Sequence, residues 1–246
     1  MLGKLIRYDF KAVQRLLFPV YGAMIVLSVV IGLTSHTGSG SGYTVFQISM
    51  MLFMMILFAA VLLTIYLLVE RFYHNLLGNE GYLMFALPVS TAEHIAAKIL
   101  TALIWMAMGC LAVLVCGIIM GLFSMTWNEL LDMLRSIGNV FTQYQFSGDA
   151  FAQIMELLLV AALSAVSIVV KVYASISIGH LWSNHRILGS VFAYVGFTII
   201  ALLATTQVAE FMTTQSLWSM VAYLAVWIAV YGLITWYILD RRLNLE

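Results

Sequence analysis

Lys171 carries the most chemistry in the apolar part of this chain. Ser164, Ser167, Lys171 and Ser175 follow one another at steps of three, four and four, which on a helix makes one polar stripe with a cation midway along it. Such a stripe can line a water-accessible path or a seam between subunits, or the lysine can snorkel toward the nearer headgroups. No acidic residue stands at a similar depth in any other apolar segment. Its partner is therefore expected among hydroxyls such as Thr64 or Tyr66, backbone carbonyls, water, or an anionic group of a lipid or substrate. Asp9 poses the complementary problem. It falls among the apolar positions of a basic N-terminal segment, where a carboxylate facing acyl chains is costly, so it is expected to pair with a basic residue such as Arg186 or Arg241. The other reactive residue types do not assemble. His180 and His185 flank the turn LWSNHRI, and His74 and His94 flank residues 80–90, without the acidic or thiol company a metal needs. Cys110 and Cys116 are six apart in one apolar run and point to different helix faces, which makes them packing residues. Ser190 has no base near it in sequence. No GxxxxGK[ST], HExxH or GxSxG motif occurs, so the chain lacks the usual means of hydrolysing ATP and any hydrolase signature.

The elements that must position these residues are membrane spans. Of 246 residues, 63% are hydrophobic and 9% charged, and the mean hydropathy of +1.03 exceeds what a globular core requires. The expected fold is all-α: a polytopic membrane protein, one transmembrane domain over 1–246, with six spans at 16–33, 44–69, 99–124, 154–181, 187–206 and 217–239. Lys4, Arg7, Lys11, Arg15, Arg71, Lys98, Arg186, Arg241 and Arg242 fall on one side and only Arg135 on the other, which puts both termini in the cytoplasm. Net charge is zero and the charges sort by side of the membrane, so nothing supports nucleic-acid binding. No small-residue cleavage site closes the first span, and no removable signal peptide is expected.

Within 2–17, Lys4, Arg7, Lys11 and Arg15 share one helix face, while Leu2, Leu5, Ile6, Phe10, Val13 and Leu17 gather opposite. That amphipathic segment is expected to lie along the inner leaflet, drawn to anionic lipid. The external segment 125–153 should hold a short helix with Leu130, Leu131, Leu134 and Ile137 on one face and Asn128, Glu129, Asp132 and Arg135 on the other. Small residues at four-residue spacing, Gly117 with Gly121, Ala161 with Ala165, Gly189 with Ala193 and Ala225 with Ala229, allow close helix approach within one chain or between two.

One apolar run cannot be a span. EGYLMFALPVS, residues 80–90 in the loop 70–98, is about 15 Å long as helix, half the hydrocarbon thickness. Gly78, Asn79 and Gly81 loosen the chain before it, and Pro88 stops any helix by Ala86. Ser90 and Glu93 then form a capping box that starts a fresh helix. Tyr82, Leu83, Met84, Phe85 and Leu87 need cover, from the headgroup layer or from the groove of a second protein.

LIRYDFKAVQRL leading into the first of six spans, followed after the second span by EGYLMFALPVS, resembles the permease subunits of bacterial ABC-2 type transporters, especially those of Firmicutes. The resemblance implies a multi-pass permease of the bacterial cell membrane, paired with a second permease subunit, the same or homologous. It implies separate ABC ATPase subunits that bind ATP and Mg, with no cofactor in this chain and no enzyme activity of its own. It makes Gly81, Tyr82, Leu83, Met84, Phe85, Ala86 and Leu87 the coupling helix docked on the ATPase, and Lys4, Arg7, Asp9, Lys11 and Arg15 part of the interface helix beside it. Family cargoes include antimicrobial peptides, drugs, lipids and surface polysaccharides. Many members carry their larger external structure between the last two spans, whereas here it lies between the third and fourth. The competing expectation is an ATPase-independent membrane enzyme or assembly scaffold, with 80–90 resting in the leaflet.

Overall fold

The structure is a computed structural model that describes residues 2–36, 40–77, 90–143, 148–182, 185–214 and 217–241. Among them the chain is helical: α1 (Leu2–Thr34), α2 (Ser41–Phe72) running into a π-helical turn (Tyr73–Leu77), α3 (Thr91–Ser124), α4 (Trp127–Gln143), α5 (Gly148–His180), α6 (Arg186–Thr214) and α7 (Leu217–Arg241). Six of these helices are long and apolar enough to cross a membrane, at Leu5–Thr34, Ser41–Phe72, Thr91–Ser124, Phe151–His180, Arg186–Gln207 and Trp218–Arg241. A helix satisfies its own backbone donors and acceptors, which is what hydrocarbon demands of a spanning segment. The six expected spans are present, in order. The coupling stretch 81–87 lies outside the described residues.

The amphipathic segment and the first span, expected as two elements, are one helix. α1 runs unbroken through Pro19 for 33 residues, about 50 Å, while hydrocarbon is about 30 Å thick. The surplus corresponds to the basic turns at its start. Arg7, Lys11 and Arg15 are exposed there, while Val13 and Leu17 are buried.

The described contacts group into two compact units. One comprises Phe10–Leu67 and Ile104–Phe151. Its core takes Val13, Leu17, Tyr21, Met24 and Ile31 from α1, at steps of four, four, three and seven that keep them on one face. They pack with Phe53, Ala60 and Leu67 of α2 and Trp105 and Cys116 of α3. The Phe10 ring stacks on Trp105 at 4.7 Å, and Phe18 meets the same indole edge-on at 5.9 Å. Gly117 and Gly121 have nothing within 4 Å of where a Cβ would stand, so among the described residues the expected GxxxG makes no close helix contact. Cys116 is buried and Cys110 exposed, as their six-residue spacing requires.

α4 in this unit starts on a capping box not anticipated in the sequence: the Thr126 backbone N–H and its hydroxyl both donate to Glu129 Oε2, each at 2.8 Å. Of its expected apolar face, Leu130 and Leu131 are half-buried and Leu134 is exposed. The two Thr126 donors hold the Glu129 carboxyl below the usual carboxylate range. A carboxyl lowered in this way contributes to holding the helix start above its ordinary value, and the contribution is lost as pH falls through the lowered one. NMR titration of Glu129 should give a midpoint below about 4.3 that rises in Thr126→Val. An ordinary midpoint in both proteins would show that the box does not persist in solution.

The other unit comprises Met1–Asp9, Leu68–Leu103 and Ala152–Glu246. Val170 and Ala174 of α5 pack on Tyr231 of α7, whose ring meets Phe197 at 5.0 Å and Trp227 at 5.3 Å. The tightest helix contact here is between α5 and α6. A Cβ on Gly179 would run into Ser190 Oγ and backbone N and lie 2.7 Å from the Arg186 carbonyl, and one on Gly189 would lie 2.6 Å from the Trp182 ring. Backbone cannot yield as a flexible side chain does, so Gly179→Ala should destabilise the chain by about 1–3 kcal/mol. Gly117→Ala should stay within about 0.5 kcal/mol of the parent. Thermal unfolding in detergent compares them, and equal melting of the two variants would refute the contact.

Candidate functional site

Residues that flank the segment 78–89 are built into a polar cluster. α3 begins just past Ser90, where the expected capping box is present: Ser90 N–H donates to Glu93 Oε2 at 3.1 Å and Glu93 N–H to Ser90 Oγ at 3.4 Å. The Thr91 hydroxyl donates to Asp240 Oδ1 at 3.2 Å, tying the start of α3 to the end of α7. The next turns of α3 go inward. His94 and Lys98, four apart and so on one face, are both buried.

Lys98 meets Asp9. Its Nζ donates to Asp9 Oδ2 at 2.6 Å, and the two side chains are only 9% and 5% exposed. The acid on the apolar face of α1 thus has its cation, but Lys98 of α3 supplies it, not Arg186 or Arg241. Arg241 is exposed and Arg186 half-buried. Lys98 is bound through its backbone as well, since the buried Tyr173 hydroxyl of α5 donates to its carbonyl at 3.4 Å. The Tyr173 ring lies flat on Phe72 at the end of α2, with centroids 4.0 Å apart and 7° between planes. The π-helical turn that follows buries Leu76 completely and sets the Tyr73 ring edge-on to His180 at 6.2 Å. Leu5, Tyr8, Asp9, Leu76, His94, Ala97 and Lys98 enclose a cavity of about 10 Å³, about the room one water needs.

Residues on α1, α2, α3, α5 and the π-helical turn thus converge at the two ends of the segment 78–89. Of the residues expected at the interface helix, Asp9 enters this cluster; Arg7, Lys11 and Arg15 remain exposed and the Lys4 side chain is outside the description. Lys98, His94 and Tyr173 were not anticipated as partners. The available signal was a buried-face acid in the first helix and a lysine two turns into a capped one.

The polar stripe of α5 is also rearranged. The Ser164 hydroxyl donates to the Ala161 carbonyl at 2.8 Å and that of Ser175 to the Lys171 carbonyl at 2.7 Å, so these two serines spend their protons on their own helix. Ser167 is half-buried. Lys171 turns to α6: its Nζ donates to Thr198 Oγ1 at 3.2 Å and stands 4.5 Å from the Tyr194 ring centroid. Thr64, expected as one such hydroxyl, donates to the Ala60 carbonyl of its own helix at 2.7 Å, and Tyr66 is exposed.

Among the described residues no group of three His, Cys, Asp or Glu side chains is placed to hold a metal ion. The described residues place an ion pair, Asp9–Lys98, buried near Ser90, and a cation, Lys171, in the helix Phe151–His180. Set against protein-family models, curated proteins and solved structures, the chain matches none.

Proposed function

We propose that the chain is the permease subunit of an ABC-2 type exporter, with N- and C-termini in the cytoplasm of a bacterial cell. It moves an apolar or amphipathic cargo, such as an antimicrobial peptide, a drug or a lipid-like molecule, using ATP and Mg bound by a separate ATPase subunit. Two permease subunits, identical or homologous, form the transport unit. The observation that carries this reading is the Asp9–Lys98 pair at the root of the loop. A short apolar helix over 81–87 can pass force to the membrane only if its ends are fixed. Here one end follows the buried Leu76 and the other the capped start of α3, which the ion pair joins to α1. The exposed Arg7, Lys11 and Arg15 suit the opening turns of α1 to the anionic inner leaflet beside such a docking site.

Purification of the tagged chain from its native membrane, with mass spectrometry and ATP hydrolysis on one sample, tests this. A phosphate-loop ATPase should co-purify and hydrolyse ATP. A chain that emerges alone and inert, and stays so with candidate ATPases co-expressed, would sink the permease reading in favour of a membrane enzyme or scaffold.

A further inference from the structure

Lys171 lies within the span Phe151–His180, nine residues before the end of α5, about 14 Å along the helix axis. Its contacts show that it does not reach for the nearer helix end. Gly179 faces Ser190, and Lys171 faces Thr198, eight residues further along each helix in opposite directions. Both contacts belong to one antiparallel register, so the ammonium stays level with its own backbone between α5 and α6. A snorkelling lysine would instead extend its stem toward the turn.

The groups that hold it are neutral. The Thr198 hydroxyl donates to the Tyr194 carbonyl at 2.7 Å, which leaves its oxygen free to accept from Lys171, and the Tyr194 ring offers a π face. An ammonium has three donors, so one remains for another partner. Among the described residues no carboxylate lies within ion-pair distance of Lys171. A cation in a span without a counter-charge is costly. One turn from the site along the same helix faces, Ile168, Val191 and Val195 are exposed and apolar. Whatever neutralises Lys171 from that side must be comfortable against hydrocarbon.

We propose that Lys171, Thr198 and Tyr194 form a receiving site for the anionic group, phosphate or carboxylate, of an acyl-bearing amphiphile. The span is 30 residues long, about 45 Å, so centred in a 30 Å hydrocarbon layer it puts Lys171 about 6 Å below the boundary. Local thinning of the bilayer brings a headgroup to that depth. The amphiphile is either a resident lipid or a molecule in transit. The site does not depend on an ATPase partner.

Native mass spectrometry of the purified chain tests the site with phosphatidylglycerol, phosphatidylcholine of the same acyl chains, and dodecyl phosphate. Wild type should prefer phosphatidylglycerol by about tenfold, the order of one hydrogen bond to a charged group. Lys171→Gln should bind the two lipids equally, and Lys171→Arg should keep the preference. Phosphatidylglycerol retained at one per chain through a delipidating wash identifies a resident lipid. Native lipid lost on washing, with dodecyl phosphate still bound in a Lys171-dependent way, identifies an amphiphile in transit. Equal binding of both lipids by wild type, or an unchanged preference in Lys171→Gln, overturns the site. Should Lys171→Gln fail to fold, Thr198→Val gives the second reading, and an undiminished preference there would likewise remove Thr198 from it.

Discussion

Lys98→Met should lower the unfolding free energy by about 3–5 kcal/mol, and Asp9→Leu combined with Lys98→Met should restore most of that loss. The single change removes the cation 2.6 Å from a carboxylate whose side chain is 5% exposed and leaves a buried charge without that cation. The double change replaces both charges with apolar groups of comparable bulk, and desolvation of the pair no longer has to be offset. Unfolding followed by temperature or denaturant in detergent gives both numbers. A single variant as stable as the parent would show that the pair is solvated and that α1 is not joined to α3 by charge. The double variant also separates stability from transmission: under the permease reading it should fold yet couple ATP hydrolysis to transport less well, because apolar contacts between α1 and α3 have less directional preference than an ion pair.

Phe85→Asp should abolish capture of an ATPase subunit while leaving the helical content and melting of the chain unchanged. The permease reading assigns 81–87 to docking and not to the helix bundle, between the buried Leu76 and the capped Ser90, so the melting of the chain should not depend on residue 85. In a docked complex the same carboxylate would be buried without a partner at a cost of several kcal/mol, roughly a hundredfold or more in affinity. Pull-down of the tagged variant beside wild type reads the effect directly. Undiminished ATPase recovery and undiminished transport would remove the coupling role from this stretch.

Much of the helical framework is legible from composition and local chemistry. Continuous apolar length marks out six helices long enough to span, and Ser90 with Glu93 marks the start of α3 at the next residue, Thr91. The partners of the two intramembrane charges are a different matter. Asp9 can be seen to need a cation, but whether Lys98, Arg186 or Arg241 supplies it depends on which helices meet, and local periodicity is silent on that. Lys98 was hidden because a lysine near a helix start counts equally well as a marker of membrane side. Lys171 turned to Thr198 and Tyr194 for the same reason: α6 runs back along α5 in a register marked by the close approach at Gly179 and Gly189. Glycine spacing misled in both directions. Among the described residues Gly117 and Gly121 fit a motif and meet nothing, while Gly179 fits none and lies at a close helix contact. The leaflet segment and the first span, expected as separate elements, are one helix through Pro19, and helical continuity across a proline depends on what packs around it.

The ion pair also sets an order of events during synthesis. Asp9 is made 89 residues before Lys98, and at about 5–20 residues per second its carboxylate waits roughly 4–18 s for its cation. α1 and α2 are completed within that interval, with the acid held back by its own hydration. Seating of the first turns of α1 is therefore completed by α3, after α2 has been made and not when α1 itself is made.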